Sequence, residues 1–176
     1  MKKMLSKVIM VMMLGAISVS AMGKTLVTSF GQSADAAMLN VLFKKSKADY
    51  EFNALAMPDS IGAYDSIAVA AGASSKGMGA AGINPIDELK RAEKLVKMAK
   101  EKNIPVVTFH LGGAGRRGKL SDDYVKVAAE NSTKMVVVKG GNADGLFTNI
   151  AKTNSSELVE VKNIVGAITP IKNTFN

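Results

Sequence analysis

From Thr25 onward the chain alternates short, unbroken apolar runs with segments whose apolar residues recur at helical spacing. That alternation restricts the fold more than any other feature. TLVTSF (25–30) precedes DAAMLNVLFKK, in which Ala36, Leu39, Leu42 and Phe43 share one helical face. FNALAM (52–57) reads as a second strand and SIAVAAG (66–72) as a third, with small side chains that permit close packing. A helix follows with Asn84 as N-cap, Pro85 at its first position and Asp87 and Glu88 at the positive end of its dipole. Its expected buried stripe is Ile86, Leu89, Ala92, Leu95, Val96 and Ala99, running up to Asn103.

IPVVTFHL (104–111) is the fourth expected strand. Ser121 is placed to cap the next helix, with Leu120 and Val125 as a hydrophobic staple. KMVVVKG (134–140) is the fifth strand, and a short helix carries Leu146, Phe147 and Ile150. ELVEV (157–161) reads as a sixth or edge strand, and Pro170 should kink or divide the helix-spaced tail that ends at Phe175. Strands without a wet face need cover on both sides, and alternating strands and helices supply it. The expected fold is therefore α/β: a single doubly wound, mainly parallel sheet of five to six strands, a flavodoxin-like or Rossmann-like three-layer sandwich. The weak point is PDSIGAYD (58–65), which is short for a crossover that usually takes a dozen residues or more.

The N-terminus has a separate logic. Lys2, Lys3 and Lys7 precede an apolar core from Val8 to Ile17, and small residues then offer cleavage after Ala21 or Gly23. This is the plan of a secretory signal peptide over residues 1–23, leaving 24–176 as a single α/β domain. The stretch between Lys7 and Lys24 is shorter than the about 20 residues of a spanning helix, so no stable membrane insertion is expected after cleavage. The destination is the periplasm or the cell exterior. With no cysteine, disulfides, lipid anchoring at a cysteine and thiol chemistry are all excluded. Removing Lys2, Lys3 and Lys7 from 23 Lys and Arg leaves 20 against 15 Asp and Glu, a mature net charge of +5. Mild basicity suits acidic partners, whereas export and 5% aromatic content speak against nucleic acid.

The segments TSFGQSADA, GASSKGMGAAGI, HLGGAGRRGKLSDD and GNADGLFTNIA together resemble an uncharacterised family of exported bacterial proteins, a domain of unknown function. The resemblance covers nearly all of the mature chain. It implies a small α/β domain behind a signal peptide, and it brings neither an activity nor established site residues.

The functional expectation therefore comes from chemistry. In open parallel sheets, ligands bind at the carboxyl ends of the strands, where strand order reverses. The unusual segments all fall there: Ser29, Gly31, Gln32 and Ser33 after the first strand, and Ser74, Ser75 and Lys76 after the third. His110, Arg116 and Arg117 follow the fourth, and Lys139-Gly140-Gly141-Asn142 the fifth. Glycines let the backbone approach closely, hydroxyls and amides donate, and guanidinium forks match carboxylate or phosphate oxygens. The expected function is an extracytoplasmic binding protein for a small anionic molecule, without metal or cofactor. Gly77-Met78-Gly79-Ala80-Ala81-Gly82 matches a dinucleotide fingerprint only by spacing and reads instead as a flexible, close-packed loop. One alternative is an enzyme, either a hydrolase pairing Ser33 or Ser29 with His110 and Asp35 or Asp65, or a flavin protein using Tyr64. The other is a module for an envelope protein partner, with Phe30, Met78, Ile83 and Leu111 exposed as a patch.

Overall fold

The computed structural model describes residues 23–176, so the expected signal peptide lies outside the described residues but for Gly23. Six strands form one all-parallel sheet: β1 (Thr25–Phe30), β2 (Tyr50–Phe52), β3 (Ser66–Ala71), β4 (Val106–His110), β5 (Lys134–Val138) and β6 (Glu157–Val161). Their order across the sheet is β2-β1-β3-β4-β5-β6, so the order reverses between β1 and β3. This is the flavodoxin-like arrangement of a three-layer sandwich.

The helices α1 (Asp35–Ser46) and α6 (Ile168–Phe175) cover one face, where Leu39, Phe43, Ile171 and Phe175 meet Val27, Phe109 and Val136. The helices α3 (Pro85–Glu101), α4 (Lys119–Glu130) and α5 (Leu146–Asn154) cover the other, where Leu95, Val125 and Phe147 meet Ile67, Val69 and Met135. Every residue of β1 and β3 is buried, as expected of strands lying between two helical layers. Phe43 anchors the first layer, its ring centroid 5.0 Å from that of Phe175 and 6.1 Å from that of Phe109. No helix among the described residues is long and apolar enough to cross a membrane.

Several element boundaries differ from the sequence reading. The second strand is Tyr50–Phe52, not 52–57, and it is an edge strand too short to show a period. The crossover to β3 therefore spans residues 53–65, long enough to pass β1, and its middle winds into a 3-10 turn over Pro58–Ala63. The glycine-rich segment after β3 is not a flexible loop but a short helix, α2 (Ser75–Ala80). On α3, Asn84 does cap, its side chain accepting the Asp87 N–H at 2.9 Å. Ile86, however, is 67% exposed, and the buried face is Glu88, Arg91, Ala92, Leu95, Val96 and Ala99. Helix α4 starts two residues before the expected cap, so Ser121 lies inside it and Leu120 is exposed. The tail divides before Pro170, between a 3-10 turn (Ile164–Ala167) and α6.

Candidate functional site

The loops after β1, β3 and β4 meet at the carboxyl edge, beside the reversal of strand order. The first loop leaves β1 through Gly31 and Gln32, both in the left-handed region at φ 90° and 53°. A Cβ on Gly31 would lie 2.7 Å from the Gly72 carbonyl oxygen, so this approach requires glycine. The Ser74 N–H donates to the Gly31 carbonyl at 2.9 Å, and Gln32 pairs antiparallel with Ala73, locking the two loops together.

A buried charged pair that the sequence reading missed holds the first loop from below. Glu88 Oε1 accepts from the Gly31 N–H at 2.9 Å, Gln32 Nε2 at 2.9 Å and Arg91 Nη2 at 2.8 Å. Glu88 Oε2 accepts from Arg91 Nε at 2.7 Å, and Arg91 also donates to the Ala56 and Ser29 carbonyls. Glu88 is 0% exposed and Arg91 5%. The donors expected to meet a ligand at Gly31 and Gln32 thus already serve an internal carboxylate. The available signal was the spacing of Glu88, Arg91, Leu95 and Ala99, which puts both charges in register with the apolar stripe.

The adjacent arginines part company. Arg117 is 13% exposed and fully engaged. Its Nε donates to Asp122 Oδ1 at 2.8 Å, its two terminal nitrogens clasp Asp144 at 3.0 and 2.8 Å, and Nη1 also reaches the Gly141 carbonyl. The hydrogen bonds it donates to Asp144 and then Asp122 raise its already high pKa, and they outweigh its partial burial. In return, the Arg117 hydrogen bonds hold Asp144 down at about 2. Burial pushes Asp122 up, but the Arg117 hydrogen bond, the Gly118 N–H and the Arg117 charge together keep it below the ordinary value. Arg117 is a clamp between the β4 and β5 loops rather than a ligand-facing cation.

The Arg116 side chain makes no hydrogen bond among the described residues. Its one charged neighbour is Asp35, with Nε 3.7 Å from Oδ1, and its side chain is 33% exposed. The stem lies over two glycines. A Cβ on Gly112 would fall 1.9 Å from Arg116 Cγ and 2.8 Å from Asp35 Oδ2, and one on Gly72 would fall 3.5 Å from Arg116 Cβ and 3.6 Å from Ser33 Oγ. Arg116, Ser33 and Asp35 therefore converge on one spot at the start of α1. Ser33 Oγ accepts the Asp35 N–H at 3.3 Å. Asp35 Oδ2 is buried without a hydrogen-bond partner, as is Ser29 Oγ at the end of β1.

The other expected contacts have structural duties. His110 is 0% exposed, with Nδ1 2.9 Å from the Ala71 carbonyl oxygen and Nε2 3.0 Å from that of Gly113. Neither ring nitrogen faces Ser29 or Ser33, so the pairing a hydrolase would need is not assembled. Asp65 and Tyr64 sit at the opposite, amino edge: the Asp65 N–H donates to the Lys24 carbonyl, and the Lys24 ammonium lies 5.6 Å from the Tyr64 ring. Tyr64 therefore cannot cover a flavin ring at the carboxyl edge. Ser74 caps α2 by accepting the Gly77 N–H at 3.1 Å, while Ser75 and Lys76 are exposed on that helix, outside the Arg116 cluster. Ser121, expected to cap α4, accepts the Ala73 N–H at 3.0 Å instead. The proposed apolar patch is absent, since Phe30, Met78 and Leu111 are buried and Ile83 partly so. Among the described residues no three His, Cys, Asp or Glu converge as a metal ion requires.

A cleft of about 390 Å³ opens elsewhere, at the amino edge between Ala99, Asn103, Ile104 and Ser132. None of the buried unpartnered polar atoms, Ser29 Oγ, Asp35 Oδ2, Ser156 Oγ and Thr174 Oγ1, belongs to its lining. Of these, Ser29 Oγ and Asp35 Oδ2 lie at the carboxyl edge, whereas Ser156 immediately precedes β6 at the amino edge and Thr174 lies in the last turn of α6.

Solved structures similar to the chain include a GDSL-like lipase from Bacteroides thetaiotaomicron VPI-5482. It is 13% identical at a TM-score of 0.37, over 80% of this chain and 68% of that one. Two variants of the esterase AlinE4 are each 11% identical, with TM-scores of 0.34 and 0.33, over 86% and 87% of this chain and 82% of theirs. No curated protein matches the sequence. A family model matches residues 22–175, and the chain belongs to that family, described as Domain of unknown function (DUF6305).

Proposed function

We propose that the chain is an exported binding domain for a small anionic molecule, carboxylate or phosphate, held on Arg116 where strand order reverses between β1 and β3. One contrast carries this reading. Of two adjacent arginines, Arg117 spends its donors on Asp122, Asp144 and Gly141, while Arg116 keeps its donors unbonded on a bed of glycines. Guanidinium is the side chain best shaped to grip two oxygens at once, and Ser33 beside it adds a neutral donor. The start of α1 contributes the positive end of a helix dipole at the same place. The basic, apolar N-terminal segment supports export.

A thermal-shift screen of small carboxylates and phosphates on the purified protein tests the reading. A charge-assisted contact is worth about 1.5–3 kcal/mol, so Arg116→Ala should weaken any hit about tenfold or more. Replacing the exposed Lys76 should change it far less. Hits that survive Arg116→Ala unchanged, or an empty screen, would refute the assignment.

A further inference from the structure

Resting on the anion reading of this same site, we infer that the ligand carries a hydrogen-bond donor, hydroxyl or ammonium, on the carbon next to its acid group. Asp35 is 6% exposed, and its Oδ2 lacks a partner among the described residues. Its Oδ1 has only the 3.7 Å approach of Arg116, too long for a hydrogen bond. A buried carboxylate oxygen left unpaired is costly, and native structures keep such groups where something else completes them.

A plain carboxylate offers only acceptors. Placed on Arg116, it would bring a second negative charge beside Asp35 and leave Oδ2 unsatisfied. A 2-hydroxy or 2-amino acid resolves both problems. Its acid oxygens take the guanidinium and the Ser33 hydroxyl proton, while its own donor turns to Asp35. The position of Arg116 adds a condition. Its stem and Asp35 Oδ2 share the space above Gly112, so the side chain must swing aside for the ligand's donor to reach that oxygen. The loose 3.7 Å pair permits the exchange: Arg116 leaves Asp35 for the ligand's acid, and Asp35 receives the ligand's donor.

Calorimetric titration of the purified protein with two matched sets tests this: propionate, lactate and alanine, and succinate, malate and aspartate. In at least one set a donor-bearing member should bind about tenfold or more tighter than the plain acid. The hydroxy and amino arms tell which donor is used. In Asp35→Asn the preference should fall to within about threefold, because the charge is gone and the new amide donates to plain acids. Should that variant fail to fold, the wild-type preference decides by itself. Plain acids binding as tightly as their donor-bearing partners, yet lost in Arg116→Ala, would overturn this inference and leave the anion site standing. No binding in either set would overturn this inference and leave the anion reading to the phosphates of the thermal-shift screen; binding indifferent to Arg116→Ala would overturn both.

Discussion

Glu88 Oε1 lies 2.9 Å from the backbone nitrogen of Gly31, 57 positions away in the chain, and so places a buried carboxylate where the first loop would otherwise offer its amide to a ligand. Arg91 neutralises that carboxylate and ties it to the Ser29 and Ala56 carbonyls. The loop thus already holds an anion of its own. On the proposed reading, the guest is met by Ser33, Asp35 and Arg116.

Removing one member of this pair leaves the other charge buried and unpaired. Glu88→Ala should cost about 3–5 kcal/mol in urea unfolding, and Arg91→Ala a similar amount. The apolar double replacement Glu88→Leu/Arg91→Leu should cost clearly less than the sum of the two single changes, since no orphan charge survives. Simple additivity would show that the pair is not coupled as its geometry demands.

The Arg117 clamp makes stability depend on acid. Asp144 falls to about 2 in the folded chain from an ordinary 3.8, and Asp122 is also lowered. Carboxylates depressed on folding contribute stability above their unfolded pKa and lose it as pH falls through the folded value. Unfolding followed between pH 5 and 2 should show a decline that Asp144→Asn makes shallower, with the gap between the two proteins closing near pH 2. Asp144 is exposed, so solvent screening keeps the effect small. Parallel curves for the two proteins would remove the clamp's electrostatic role.

His110 is a packing residue here. Its ring nitrogens face two carbonyl oxygens, and its ring lies 5.3 Å from Phe147. His110→Ala should cost about 2–4 kcal/mol from the cavity and the carbonyl left without its N–H donor. Ligand affinity at Arg116, measured on the folded variant, should change less than about threefold. Loss of binding in a variant that retains its fold would return His110 to the site.

Gly112→Ala probes the Arg116 position without removing a charge. The backbone there, at φ −77°, accepts alanine, but the new methyl would meet Arg116 Cγ and Asp35 Oδ2. Stability should drop by about 1–3 kcal/mol, because the base of the Arg116 side chain and the buried Asp35 carboxylate must both give way, while ligand affinity falls at least about fivefold. Affinity unchanged by the methyl would mean that the stem does not rest over Gly112.

The architecture was legible because it rests on long, periodic signals. Unbroken apolar runs such as SIAVAAG, alternating with helix-spaced segments, suit doubly covered strands, and topology then carries every βα loop to one edge. What stayed hidden depends on partners distant in sequence. Arg116 and Arg117 are alike as letters, and only the meeting of Asp144 and Gly141 with the second distinguishes them. Glu88 and Arg91 read as surface charges unless their register with Leu95 and Ala99 is noticed, and Ile86 took their place in the expected stripe. The three-residue edge strand Tyr50–Phe52 was misplaced because it is too short to carry a period. In the sequence Asp35 reads only as a candidate triad acid; its unpaired oxygen shows once the Gly112 loop has folded over it.

The most direct measurement is NMR of the arginine side chains, following the Nε–Hε signals of Arg91, Arg116 and Arg117 while a screened acid is titrated in. The Arg116 signal should move saturably with the ligand, while those of Arg91 and Arg117, already bound to carboxylates, stay in place. A saturable shift confined to Arg117, or a bound acid that moves none of the three, would contradict the assignment of Arg116 as the anion's anchor.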